Sequence, residues 1–207
     1  MTEAPRPQLP EPVMLDAATM RVLAHPIRVR LVWELGSTAQ LRTGDLAAAV
    51  GEPVNKVSYH LKLLAEAGLI AKTASKHHTD GRETWWTLAN PSGLTYDPND
   101  PASQPVAADL HTLTSDLRGQ LERRSYALNH DRAWHGVQNL YTVHLTRDEA
   151  DDYWARLCTI LDEIQALDVA RRDTDFDADV EYVVDLSFLP ITVHHPEKGQ
   201  PRTKDAP

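Results

Sequence analysis

The stretch from Leu41 to Leu88 limits the possible folds of this chain more than any other. A short helix fits Thr43 to Val50, with Thr43 as its N-cap hydroxyl. Gly51, Glu52 and Pro53 break it, and Pro53 can open the next helix, which runs to Ala67. That helix carries Val57, Leu61 and Leu64 at the spacing of helical turns, so one face is apolar. Its other face presents Asn55, Tyr59, Lys62 and Glu66, flanked by Lys56 and Ser58. Gly68 ends it, because glycine accepts the left-handed backbone of a helix stop. Leu69 to Thr73 then reads as a strand, Asp80-Gly81 as a turn, and Arg82 to Leu88 as the returning strand. Two helices joined by a tight turn and followed by a basic hairpin form a winged helix-turn-helix, an arrangement that sets its second helix in the major groove of DNA.

Three pieces of this region resemble the ArsR family of bacterial transcriptional regulators. They are Leu-Ala-His-Pro-Ile-Arg-Val-Arg-Leu at 23 to 31, Val-Ser-Tyr-His-Leu-Lys-Leu-Leu-Ala-Glu-Ala-Gly-Leu-Ile at 57 to 70, and Asp-Gly-Arg-Glu-Thr-Trp-Trp-Thr-Leu at 80 to 88. They stand in the family's order and spacing, and the likeness covers about a third of the chain. It implies a homodimeric DNA-binding regulator, more often a repressor than an activator. Ser58 and His60 occupy the serine and histidine of the family's recognition-helix pattern. The implied dimer forms through terminal helices.

Charge is divided along the chain in the same sense. The 207 residues carry a net charge of −9, which by itself argues against a polyanionic partner. Yet from Asp16 to Asn90 nine Lys and Arg stand against seven Asp and Glu, whereas from Pro91 onward eleven stand against twenty-one. A mildly basic half followed by an acidic half places phosphate contacts on the first.

Outside the central stretch the expected organisation is as follows. Residues 1–14 are proline-rich and read as a disordered tail. The winged domain covers 15–90, with one helix from Leu15 to Ala24 and another from Pro26 to Leu35, separated at His25-Pro26. Arg28 and Arg30 on the second helix are either solvated, paired with acids, or in contact with DNA backbone. Gln40 to Arg42 can add a third strand to the wing. Trp85 and Trp86 point to opposite sides of the wing, Trp86 inward and Trp85 toward a second cover. Residues 91–105, with four prolines, read as a linker. A long helix from about Val106 follows, and Val106, Leu110, Leu113, Leu117 and Leu121 form a coiled-coil-like seam. That seam is the expected dimer contact, with packing inside one chain as the alternative. Residues 106–190 complete a dimerisation or effector module: a strand at Val137 to Leu145, a helix opened by the capping box Thr146-Arg-Asp-Glu149, and a strand at Val180 to Leu189. Residues 191–207 read as a second disordered tail. The fold class is α+β, mostly helical.

The expected DNA contacts are Thr43, Asn55, Lys56, Ser58, Tyr59, His60 and Lys62 on the helices, and Lys76, His78 and Arg82 on the wing. Asparagine can pair with adenine, lysine with phosphate or guanine, and hydroxyls with phosphate or base edges. His60 lies at the margin of the apolar face, where bracing the helix and touching DNA are equally open. No cofactor or metal is expected. The single Cys158 excludes a cysteine cluster. Asp109-Leu-His111 is similar to half of a family zinc site, but Glu122 adds only a third ligand and Ser125 stands where a fourth would be. No catalytic motif is present, so no enzyme is expected. Without a membrane-length apolar run or a secretory signal the chain reads as cytoplasmic. The expected partners are double-stranded DNA and a second copy of the chain, with room for a small-molecule effector in the acidic half. The rival reading is a winged-helix protein-interaction module without DNA binding.

Overall fold

The protein is described here from a computed structural model, which covers residues 10–74, 83–128 and 143–171, together with Tyr182 and Val184. It is a mostly helical α+β fold. In chain order the elements are β1 (Val13–Leu15), α1 (Ala17–Leu23), α2 (Pro26–Ser37), β2 (Leu41–Arg42), α3 (Thr43–Val50), α4 (Val54–Glu66), β3 (Ile70–Thr73), β4 (Trp85–Leu88), β5 (Leu94–Tyr96), α5 (Gln104–Leu128) and α6 (Arg147–Arg171).

Local chemistry starts and stops the helices. Asp16 caps α1 by accepting the backbone N–H of Thr19 at 2.8 Å, and that bond holds its carboxyl below the usual range. His25 caps α2 by accepting the N–H of Ile27 on Nδ1 at 3.1 Å, and Pro26 follows at the first helical position. α2 continues through Gly36 to Ser37, further than the glycine alone predicts. The glycine stops of α3 and α4 form as expected, with Gly51 at φ 70° and Gly68 at φ 72°. Beyond Gly68 the Leu69 N–H returns to the Leu64 carbonyl at 3.0 Å, which closes the last turn of α4 and aims the chain into β3. A Cβ on Gly68 would meet nothing within 4 Å, so only its backbone conformation opposes substitution. Gly68→Ala is therefore expected to cost about 1–2 kcal/mol in urea denaturation, and Gly68→Asn less, because asparagine tolerates this conformation.

The core lies between α1, α2, α3, α4 and the wing. Met20, Leu31, Leu35, Leu46, Val57, Leu61 and Leu64 are fully buried, with Leu69, Ile70 and Trp86 closing the sheet side. The wing sheet has the order β2-β4-β3, antiparallel throughout, with Leu41 opposite Trp86 and Ile70 opposite Leu88. The three-stranded wing and the inward Trp86 both match the sequence reading.

Three expectations change. First, the chain from Val13 is not tail: Val13–Leu15 pairs in parallel with Leu94–Tyr96, so Leu15 belongs to a strand and α1 begins two residues later. The partner strand lies about eighty residues away, so no local pattern reveals the pairing. Second, the segment expected as a linker is built of ordered turns. Asp97 accepts the Asn99 N–H at 2.8 Å, Asp100 accepts the Ser103 hydroxyl at 2.6 Å, and Ser103 is buried. Asn, Asp and Pro here encode turns rather than slack. Third, the α5 stripe packs inside the chain. Val106 and Leu117 are buried in the main core, and Leu110, Leu113 and Leu121 lean on it, against α1 and α2. Helix α6 leaves much of its apolar surface uncovered: Tyr153, Trp154 and Ile164 are exposed, and Leu157 and Leu161 are half-buried.

The capping box of α6 does form. Thr146 N–H donates to Glu149 at 2.8 Å and Glu149 N–H to the Thr146 hydroxyl at 3.3 Å. Residues 143–145, expected as the end of a strand, have no regular structure. The rest of that expected strand, nearly all of the one at 180–189, residues 1–9 of the first tail and the tail from 191 lie outside the described residues. Among the described residues no helix is long and apolar enough to cross a membrane.

Candidate nucleic-acid interface

Helix α4 has two faces of different chemistry. Val57, His60, Leu61 and Leu64 are buried, while Asn55, Lys56, Ser58, Tyr59, Lys62 and Glu66 are exposed. Tyr59 is 60% exposed. Asn55 accepts the Lys56 N–H at 2.9 Å, a local bond that leaves its amide N–H groups facing outward. Lys56 reaches Glu52 at 2.9 Å, one turn back. This pair is solvent-exposed, so it opposes a competing phosphate only weakly.

His60 is corrected by the fold. It is 6% exposed and stacks obliquely on His25, with ring centroids 4.5 Å apart. Its place in the 57, 60, 61, 64 sequence of buried positions turns it inward, where it packs α4 against the start of α2 and leaves little surface for another contact.

Thr43 is also placed differently. The N-cap position of α3 belongs to Arg42, and Thr43 is the first helical residue. Its hydroxyl accepts the Trp86 indole N–H at 2.9 Å and lies 3.4 Å from the Thr84 carbonyl, while its own N–H donates to that carbonyl at 3.2 Å. Thr43 thus latches the root of the wing to α3.

Arg42 makes a second connection that the sequence reading did not single out. Nε and Nη2 donate to the two Asp45 carboxylate oxygens, each at 2.8 Å, and Nη1 donates to Glu83 at 3.0 Å. The guanidinium also lies over the Trp85 ring, 5.8 Å from its centroid, and so supplies the cover that ring was expected to need. Asp45 additionally accepts the Arg42 backbone N–H at 3.3 Å. Its carboxyl is held below the ordinary range, chiefly by the hydrogen bonds from Arg42, and Arg42 is correspondingly harder to deprotonate. The signal available in sequence was the run Arg-Thr-Gly-Asp, which places an acid at the third helical position. Ser58 and Val54 of α4, residues 42–45 and the wing residues Glu83 and Thr84 together line an open groove of about 550 Å³.

Of the two arginines on α2, Arg30 is paired: Nε donates to Glu34 at 2.6 Å and Nη1 approaches Gln120 of α5 at 3.5 Å. Arg28 is half-buried, its Nε has no hydrogen-bond partner among the described residues, and burial makes it easier to deprotonate than usual. Lys76, His78 and Arg82 of the wing lie outside the described residues, as do His77 and the Asp80-Gly81 turn. Asp109 and His111 stand exposed on α5, and no group of three metal-ligating side chains occurs among the described residues. Cys158 is half-buried on α6 and free.

The arrangement presents donors, acceptors and a ring on one helix face beside a latched wing. Comparison with known proteins agrees with this geometry at the level of the motif. No curated protein matches the chain. Among solved structures, one titled as a possible transcriptional regulator for arsenical resistance is 29% identical, covering 48% of this chain and 82% of its own at a TM-score of 0.30. The transcriptional repressor BigR from Xylella fastidiosa is 23% identical, covering 44% and 79% at 0.31. The antimony-specific transcriptional repressor AntR is 24% identical, covering 52% and 78% at 0.33. Superpositions of this quality carry no weight for the whole chain. The motif itself is matched by a family: residues 23–73, from the end of α1 through β3, fit the helix-turn-helix domain.

Proposed function

We propose that this protein is a sequence-specific DNA-binding transcriptional regulator of the ArsR type, acting as a homodimer and most simply as a repressor that blocks access to a promoter. The observation that carries the reading is the division of α4 into a fully buried face and a face bearing Asn55, Lys56, Ser58, Tyr59 and Lys62. In this reading α4 enters the major groove, Asn55 and Ser58 meet base edges, and Lys56, Tyr59 and Lys62 meet phosphates or bases. Lys76, His78 and Arg82 contact backbone beside it. Thr43 contributes by holding the wing rather than by a free hydroxyl. The winged domain is the DNA-reading unit, and the acidic half from α5 onward serves as the dimerisation or effector module. Two copies reading two half-sites require a dimer, and its contact uses surface other than the buried Val106 and Leu117.

Fluorescence anisotropy tests the reading, using duplexes selected from genomic fragments by the protein itself. Wild type is expected to bind the selected duplex more tightly than a shuffled one, with affinity falling steeply as salt rises because neutralised phosphates release counterions. Ser58→Ala, Tyr59→Ala should lose at least about tenfold, since base-edge contacts are worth about 1–3 kcal/mol each. Failure of any fragment to be selected, or salt-insensitive capture of a protein instead, would favour the protein-interaction reading.

A further inference from the structure

Beyond the DNA-facing side, an unusual cluster lies between α2 and α4. His25 and His60 are stacked at 4.5 Å, and His60 is one of the few buried polar residues of the described fold. Three features disfavour a proton on these rings. His25 uses the Nδ1 lone pair to accept the Ile27 N–H, so a proton on that atom would remove the cap of α2. A cation at a helix start is also opposed by the helix dipole. His60 has no hydrogen-bond partner for Nδ1 among the described residues, so an imidazolium there would have a donor with nothing to accept it.

The charged neighbours act in the same direction. Arg28 of α2 and Lys56 of α4 both disfavour a second cation on either ring, and His25 disfavours one on His60. Tyr59 of α4 meets His60 edge-on at 5.3 Å without contributing charge. Among the described residues the opposing acid is Glu52, in the α3–α4 turn, and it is engaged by Lys56 at 2.9 Å. No charged group of α1, α3, α5, β3 or β4, which also pack on α2 or α4, acts on either ring. Burial is the largest cause for each, and both imidazoles are pushed below their ordinary value of 6.5.

We propose that His25 and His60 form a proton-sensitive brace between the start of α2 and helix α4, holding α4 in its seat while both rings are neutral and releasing it when either is protonated. The brace is a property of the fold. Its effect on DNA affinity rests on the proposed function above. The sign follows from linkage: the unfolded chain takes up these protons first, so the contribution to stability is full above pH 6.5 and is lost as pH falls below it.

Titration of the His25 and His60 ring Cε1–H resonances in the full chain is the first test. Both midpoints are expected below 6.5, and either one at or above that value would overturn the proposal. The second test uses His25→Asn, which keeps a cap acceptor and carries no proton. In urea denaturation the variant should fall below wild type near pH 8, where it lacks the stacked ring, and lose less of its own midpoint on going to about pH 5. Parallel loss in the two proteins would overturn the brace. Should the variant fail to fold, the resonance titration of wild type still decides. In anisotropy the ratio of wild-type to variant affinity should fall on acidification. Absence of DNA binding at every pH would overturn the proposed function and leave the first two measurements standing.

Discussion

Trp86→Ala is expected to destabilise the protein by about 3–5 kcal/mol, the range for truncating a large buried aromatic. Trp86 is 4% exposed at the centre of the wing sheet, opposite Leu41 on one side and Lys72 on the other. Its ring fills the space between the sheet and the helices, with the Lys72 ammonium 5.6 Å from the centroid. The indole N–H donates to Thr43, so removal also frees the hydroxyl that latches the wing to α3. Trp86→Phe separates the two effects. It keeps most of the apolar ring and deletes only the donor, and should cost about 1 kcal/mol from the hydrogen bond, with a smaller loss from volume. Urea denaturation of wild type and both variants in one buffer measures this. A loss under about 1 kcal/mol for the alanine variant would mean that the wing does not pack on the domain as described.

Leu117→Ala should cost about 2–5 kcal/mol while leaving the oligomeric state, and the concentration dependence of the unfolding midpoint, as they are in wild type. The reason is the direction of the α5 stripe. Leu117 is buried in the same core as Met20 and Leu35, and its neighbours on the stripe lean against α1 and α2. A side chain covered by its own protomer stabilises the monomeric unit. If the stripe were the seam between two copies, the variant would instead lose the oligomeric state of wild type, and its midpoint would depend on protein concentration differently. Size-exclusion chromatography, with denaturation of wild type and variant side by side at two concentrations about a hundredfold apart, distinguishes the two, since linkage to a second copy follows mass action.

The sequence reading and the fold agree where a feature is encoded within a few residues. The helix-turn-helix, the glycine stops at Gly51 and Gly68, the His25-Pro26 break, the capping box at Thr146 and the inward turn of Trp86 all depend on neighbours in the chain or on the period of a single element. Local sterics and helical spacing specify such features before any tertiary contact forms. The exposed face of α4, with Asn55, Lys56, Ser58, Tyr59 and Lys62, was legible for the same reason.

Tertiary structure decided what a local pattern leaves degenerate. A heptad-like stripe states that one face of a helix is apolar, not whether its cover is the same chain, and for α5 the cover is α1 and α2. Val13–Leu15 is too short to register as a strand until Leu94–Tyr96 arrives beside it. Arg42 can be recognised as a clamp only when Glu83 and Trp85 of the wing are brought to it from forty residues away. His60, at the margin of a helix face, was undecided by spacing alone. Its burial against His25 settles it, because the angle at which α2 crosses α4 determines which margin of the stripe is covered.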